Sequence, residues 1–273
     1  MYVINQNGII FGGTSQVNVH TLTASALPIN DTLIQRGLLN QSSTAQFLFS
    51  GLPQSGETPF TPPPPPPGGR YGAVTVLAGA RLSAPTTEAN VGGRIALIGA
   101  TVTNEGTLST PDGQTLLAAG LQVGLAAHSS TDASLRGLDA YVGQVGDYAG
   151  TVTNAGLIEI PRGSVALTGK DVRQLGVIES STSVSLNGRI DLRAEYNASA
   201  NQKFDPVFSA TSPPFLYGGQ GANQSTGAVT VGAGSVMSVL PEWGSQNLSV
   251  TKKTPMIAHR CGEPSRRICY QRS

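Results

Sequence analysis

Val102-Thr-Asn-Glu-Gly-Thr-Leu-Ser-Thr-Pro-Asp-Gly-Gln-Thr-Leu-Leu-Ala-Ala-Gly120 and Val152-Thr-Asn-Ala-Gly-Leu-Ile-Glu-Ile-Pro-Arg-Gly-Ser-Val-Ala-Leu-Thr-Gly-Lys170 lie in register at an offset of 50 residues. Asn104 meets Asn154, Gly106 meets Gly156, Pro111 meets Pro161 and Gly113 meets Gly163. A shorter echo sets Gly163 to Gly169 against Thr182 to Gly188 at a spacing of 19, and Arg94 to Gly99 is a further copy. The underlying unit is therefore roughly 20 residues of short strands punctuated by Gly, Asn or Pro. Such a unit cannot bury its apolar face alone, but stacked copies can.

The pattern predicts an all-β chain folded as a parallel β-helix, a solenoid with extra-helical loops. Each strand would pair with those above and below it at about 4.8 Å. Leu97, Leu117, Leu167 and Leu186 are expected to point inward. Asn104, Gly106, Gly113, Asn154, Gly156, Gly163 and Gly188 are expected at coil corners. There glycine supplies positive φ or leaves room for a neighbouring backbone, and asparagine can bond its own main chain.

Composition agrees with a solenoid. The 273 residues include 34 Gly, only 12% are charged and 5% are aromatic. Thr and Ser on exposed strand faces favour β structure without needing counterions. Six basic residues against one acid lie in 252–273, which leaves an acidic body of 11 basic and 15 acidic residues. An acidic body is a poor match for nucleic acid, so no nucleic-acid partner is expected. Cys261 and Cys269 both lie in the tail, and the three histidines are scattered. No metal site or cofactor is expected from these residues.

The β-helix is expected to span residues 1–250, with loop insertions at about 30–72, 126–149 and 195–226 and a basic, disordered or frameshifted tail over 251–273. Within the first insertion, Asn30 or Asp31 can cap a short helix over 30–39. Pro62 to Pro67, six prolines flanked by Gly68 and Gly69, form a stiff exposed spur. The start, Met1-Tyr-Val-Ile-Asn-Gln-Asn-Gly-Ile-Ile-Phe11, opens on a strand, a tight turn and another strand with no basic leader. The expectation is that this chain is a fragment of a larger protein, with an apolar edge at residues 1–20 that favours aggregation.

Asn5-Gln6-Asn7-Gly8-Ile9, followed by Ile10-Phe11-Gly12, resembles the Asn-Pro-Asn-Gly-Ile signature of the filamentous haemagglutinin family, the exoproteins of bacterial two-partner secretion. Gln6 stands where that family has proline. Val17-Asn-Val19 leading to Leu22-Thr-Ala-Ser25, Gly92 to Gly99 and Val102 to Gly106 also look like these proteins, and the resemblance covers roughly residues 1–250. It implies a secretion domain folded as a right-handed parallel β-helix, which an outer-membrane β-barrel transporter recognises, exports unfolded and releases to fold at the cell surface. It further implies an extracellular or surface location and adhesion to glycans or proteins of host or neighbouring cells. Asn5 and Asn7 would either hold a corner of the coil or touch the transporter.

No nucleophile elbow, phosphate loop or paired histidines occur, and no catalytic residue is assigned. The rival reading is a carbohydrate-binding or polysaccharide-degrading β-helix module. Glu159 and Glu179, twenty residues apart, would stack on adjacent coils as paired carboxylates, with Asp171, Arg189 and Asp191 as further candidates. For sugar binding, Tyr141 and Tyr148 share one loop, and Phe208, Phe215 and Tyr217 another.

Overall fold

The computed structural model describes residues 1–35, 46–55, 59–89, 91–128, 137–183, 186–201, 203–204, 213–217, 225, 227–242, 259–260 and 268–269. Three six-stranded parallel sheets dominate. The first contains Tyr2–Ile4, Thr21–Ser25, Arg94–Gly99, Gln114–Ala119, Ser164–Thr168 and Arg189–Arg193. The second contains Ile9–Phe11, Ala73–Val76, Thr101–Asn104, Thr151–Asn154, Asp171–Gln174 and Ala228–Val231. The third contains Gln16–Asn18, Arg81–Ser83, Thr107–Ser109, Leu157–Ile160, Val177–Thr182 and Val236–Pro241. The chain visits first, second and third sheet in that order, six times, in a repetitive solenoid-like arrangement.

Pairing follows the sequence repeat. Thr101 to Asn104 pair with Thr151 to Asn154, and Leu117 pairs with Leu97 and Leu167. Inward side chains form columns across the turns, such as Val74, Val102, Val152 and Val172, and all three sheets contribute to one apolar core. Leu97, Leu117 and Leu167 are fully buried in it. Leu186 is not their successor. Leu167 pairs with Leu192 and Val165 with Ile190, a step of 25 residues, while Leu186 sits half-buried outside any strand. The echo at a spacing of 19 is therefore one of composition, and Leu186 to Gly188 lead into Arg189–Arg193.

Three excursions leave the repeat at the same corner, between the first sheet and the second. They follow Thr21–Ser25, Gln114–Ala119 and Arg189–Arg193, and end at Ala73, Thr151 and Ala228. Every second turn carries one. The second excursion departs at Gly120, earlier than the expected 126, and its strand Gln122–Ala127 pairs antiparallel with both Leu138–Val142 and Phe49–Ser50. The first and second excursions thus share a sheet, which packs on the outer face of the first parallel sheet through Ala96, Ile98, Leu116, Ala118 and Ala166. Strands Arg94–Gly99 and Gln114–Ala119 are consequently covered on both faces, which explains their uninterrupted apolar runs beside the alternating Thr-Val-Thr-Asn of the second sheet.

The short helix is Asp31–Gln35, and the Asn30 carbonyl accepts from the Leu33 and Ile34 amides. The rest of the expected helix, residues 36–39, lies outside the described residues. The proline run has no helix or strand and is exposed along most of its length. On the first turn Tyr2, Ile4 and Ile10 are exposed, and on the last Val229, Val231, Met237 and Val239. In the tail, His259–Arg260 pairs antiparallel with Ile268–Cys269, and the other tail residues lie outside the described set. Among the described residues no helix is long and apolar enough to cross a membrane.

Candidate functional site: the insertion corner and the corner ladders

The first turn crosses the insertion corner by the shortest route, Asn5 to Gly8. The Asn5 side-chain oxygen accepts the Asn7 amide at 3.1 Å, and its carbonyl accepts the Gly8 amide at 3.0 Å. Gly8 has φ of 118°, a conformation that side-chain-bearing residues avoid. This turn is seated on the end of the first excursion, because Gly72 donates to the Gln6 carbonyl at 2.8 Å and a Cβ at Gly72 would strike the Asn7 and Gly8 backbone. Ile9 turns inward and is buried against the core, whereas Ile10 is 72% exposed. Asn5 is therefore occupied in its own turn. The Asn7 carboxamide is exposed and makes no hydrogen bond to the described residues.

The corner between the second and third sheets carries a buried amide ladder. Asn104 donates to Asn154 at 2.8 Å, and Asn154 donates to Gln174 at 2.9 Å. The ladder also closes the turn backbone, since Gly106 donates to the Asn104 side chain and Gln174 donates to the Gly176 carbonyl. All three amides are inaccessible to solvent. Gln174 was not singled out in the sequence, because glutamine there breaks the Asn-x-Gly pattern while filling the same position.

The third corner joins the third sheet to the first. Thr110-Pro111-Asp112-Gly113 and Ile160-Pro161-Arg162-Gly163 are equivalent turns closed by amide donation from residue four to carbonyl one at 3.1 Å. Positive φ falls on Asp112 (55°) and Arg162 (58°), the position after proline where a type II turn demands it. Gly106, Gly113, Gly156, Gly163 and Gly188 have no positive φ. They are required because each Cβ would collide with a neighbour: Gly113 with Gly93, Gly163 with Gly113, Gly156 with Gly106, and Gly188 with Ser180 and Ser181. The side chains at the positive-φ positions pair across turns. Arg162 holds Asp112 with two bonds, at 2.5 and 2.9 Å, and Glu242 with two more at 2.9 Å. Hydrogen bonding to Asp112 above all pushes the Arg162 pKa up.

The proposed carboxylate pair is adjacent, since Glu159 and Glu179 are direct cross-strand partners on the third sheet. They stand on its outer face, away from the buried core. Asp171 lies on the second sheet, away from them. Arg189 and Asp191 are on the first sheet and enter a different, charge-balanced cluster. Asp139 lies 3.0 Å from His128 Nδ1, Arg189 lies 2.8 Å from His128 Nε2, and Arg189 meets Asp191 at 2.6 Å. This network links the second insertion to the last strand of the sheet it covers. Among the described residues no group of three or more His, Cys, Asp or Glu side chains is placed to hold a metal.

The loop aromatics converge, but on one another. Phe47, Tyr141 and Phe215 come from the three separate excursions, with ring centroids 4.9 Å apart for Phe47–Phe215 and 5.4 Å for Tyr141–Phe215. All three are buried, so these rings form a small core and offer no open stacking platform. Tyr148 packs partly against the larger outer core with Arg70 over its ring, and Phe208 lies outside the described residues. The Tyr217 hydroxyl accepts the Val142 amide at 2.9 Å and clips the third excursion to the second. Tyr217→Phe strands that amide and is expected to cost about 1–2 kcal/mol in denaturant melts.

Burial raises the pKa of Tyr217 and takes that of Tyr141 to about 12, from an ordinary value of 10.0. Both phenols hold their protons more tightly folded than unfolded. Their stabilisation is complete below pH 10 and drains away as pH rises from there through about 12. Alkaline titration followed by near-ultraviolet circular dichroism should show that loss, reduced in Tyr217→Phe; equal alkaline sensitivity in the two proteins would remove Tyr217 as a source. No protein-family model matches the chain and no curated protein matches its sequence, so the functional reading rests on the residues described above.

Proposed function

We propose that this chain is a non-enzymatic segment of a secreted, surface-associated, adhesin-like exoprotein. In this reading its three sheets close into a right-handed parallel β-helix, and an outer-membrane β-barrel transporter recognises the intact protein and passes it outward unfolded. The observation that carries the reading is the division of labour at the first corner. Asn5 is consumed by its own turn, while Asn7, two residues on, presents an exposed carboxamide with no hydrogen bond to the described residues. The architecture suits such export. Each turn pairs only with its neighbours, so a chain emerging from its amino-terminal end can add turns one after another. Adhesion at the surface would use the faces and insertions that the solenoid displays.

The reading is tested by producing the exoprotein together with its transporter and measuring protease-accessible protein at the cell surface. Asn7→Ala is expected to cut surface protein about tenfold, the effect of losing one good contact, with an unchanged melting profile. Asn5→Ala is expected to lower stability, because the Asn7 amide loses its acceptor. Normal export of Asn7→Ala would sink the assignment.

A further inference from the structure

A groove of about 280 Å³ runs along the corner between the third sheet and the first. Successive turns contribute His20, Arg94, Asp112 and Arg162 to it, and Gly137 of the second insertion stands beside them. Backbone forms much of the wall, because a Cβ at Gly92 would strike Asp112 and one at Gly93 would strike the His20 carbonyl.

The charges in this groove are unequal in their circumstances. Asp112 is the one acid in the lining, and Arg162 already holds both of its oxygens. Arg94 has no such partner. It begins its strand between Thr21 and Gln114 on the neighbouring strands, and its Nε is sealed from solvent without a hydrogen bond. No carboxylate among the described residues forms an ion pair with it. Burial lowers its pKa, the mark of a cation short of solvation. A half-buried guanidinium whose Nε is sealed and unpaired, on the wall of a polar groove with no carboxylate partner, is an incomplete ion pair.

We propose that this groove binds a small organic carboxylate of hexuronate size, with the Arg94 guanidinium as the carboxylate anchor. The planar fork of arginine matches a carboxylate with two parallel bonds. The groove is larger than an inorganic oxyanion needs, and its other groups suit hydroxyls. His20 Nδ1 lies 3.3 Å from the Pro85 carbonyl, which makes Nδ1 the donor there and leaves Nε2 to meet a ligand hydroxyl. The Thr21 hydroxyl adds a donor and acceptor. The inference stands on the groove alone and does not depend on how the chain is exported.

The test is calorimetric titration of the full chain with D-glucuronate, with D-glucose and sodium sulfate as comparators. Glucuronate should bind saturably and at least about tenfold more tightly than either comparator. Arg94→Gln should abolish that preference, and Arg94→Lys, which keeps the charge without the fork, should weaken it about tenfold. Should Arg94→Gln fail to fold, the Arg94 Nε–H resonance of the unaltered protein gives the answer: glucuronate must shift it more than any other side-chain signal. Absence of saturable glucuronate binding, sulfate binding as tight as glucuronate, or a preference that survives Arg94→Gln in folded protein would each overturn the proposal.

Discussion

Gly156→Ala should cost about 3 kcal/mol of stability, as large as overpacking substitutions ordinarily become. Gly156 has an ordinary φ, so alanine would not strain its backbone. What it would do is drive a methyl into the Gly106 carbonyl and to 2.6 Å from the Glu105 carbonyl carbon of the preceding turn. Backbone cannot rotate away as a side chain end can. The turns must separate there, which threatens the adjacent strand pairs Leu108–Ile158 and Asn104–Asn154 and the Asn104–Asn154 side-chain bond. In a structure held by nearest-neighbour interfaces, weakening one interface loosens the coupling between the turns on either side. Urea unfolding should therefore show a lower midpoint and a shallower slope. Gly12→Ala is the control, because a Cβ there meets nothing within 4 Å, and it should stay within about 0.5 kcal/mol of the parent. Equal effects at the two positions would show that turn-to-turn contact at Gly156 is not what demands glycine.

The same glycines show how much the sequence could reveal. Asn104 with Asn154 and Gly106 with Gly156 aligned by inspection because stacked turns place equivalent residues at equivalent corners. Periodicity alone could not distinguish two reasons for a glycine, and the structure assigns these to close approach, with positive φ on Asp112 and Arg162 instead. The 19-residue echo gives the wrong register for the last strand of the first sheet. Val184 and Leu186 look like Val165 and Leu167, but Ile190 and Leu192 occupy the strand positions, six residues later. Both are apolar pairs at alternate positions, so the pattern alone does not choose between them; the length of the connecting corner does.

The insertions were recognisable as departures from the repeat, but their common corner was not. That follows only once each strand is assigned to a sheet. A clue was present in Ile95 to Ile98 and Leu116 to Ala119, whose unbroken apolar character marks strands covered on both faces. Tyr141, Phe215 and Tyr217 lie in strands of the excursions, and their meeting with Phe47 depends on three excursions folding back together. Arg94 was invisible as a candidate for a similar reason. A lone arginine opening a strand is unremarkable until its neighbours prove to hold no carboxylate for it.

Asn154→Ala should also cost about 3 kcal/mol, by a different route. The inward column that contains it runs Phe11, Val76, Asn104, Asn154, Gln174 and Val231, so amides occupy its middle and apolar residues its ends. Deleting the central amide leaves Asn104 Nδ2 without its acceptor and Gln174 Oε1 without its donor, both in a solvent-free interior. Each orphaned group costs about 1–3 kcal/mol, and the cavity adds to that. The ladder can be told from simple packing by a double-mutant cycle on Asn104→Val and Asn154→Val. If the bond between them matters, removing the second amide after the first costs much less than removing it alone, because the partner has already gone. The expected coupling is about 1–2 kcal/mol. Losses that add within about 0.3 kcal/mol would mean the column acts by volume alone. The double variant should still fall short of the parent, because Asn104 also accepts the Gly106 amide at 3.2 Å and valine offers nothing in its place. Amides persist in the middle of this column because all three bond along the stack, and Asn104 and Gln174 also close the turns that they begin.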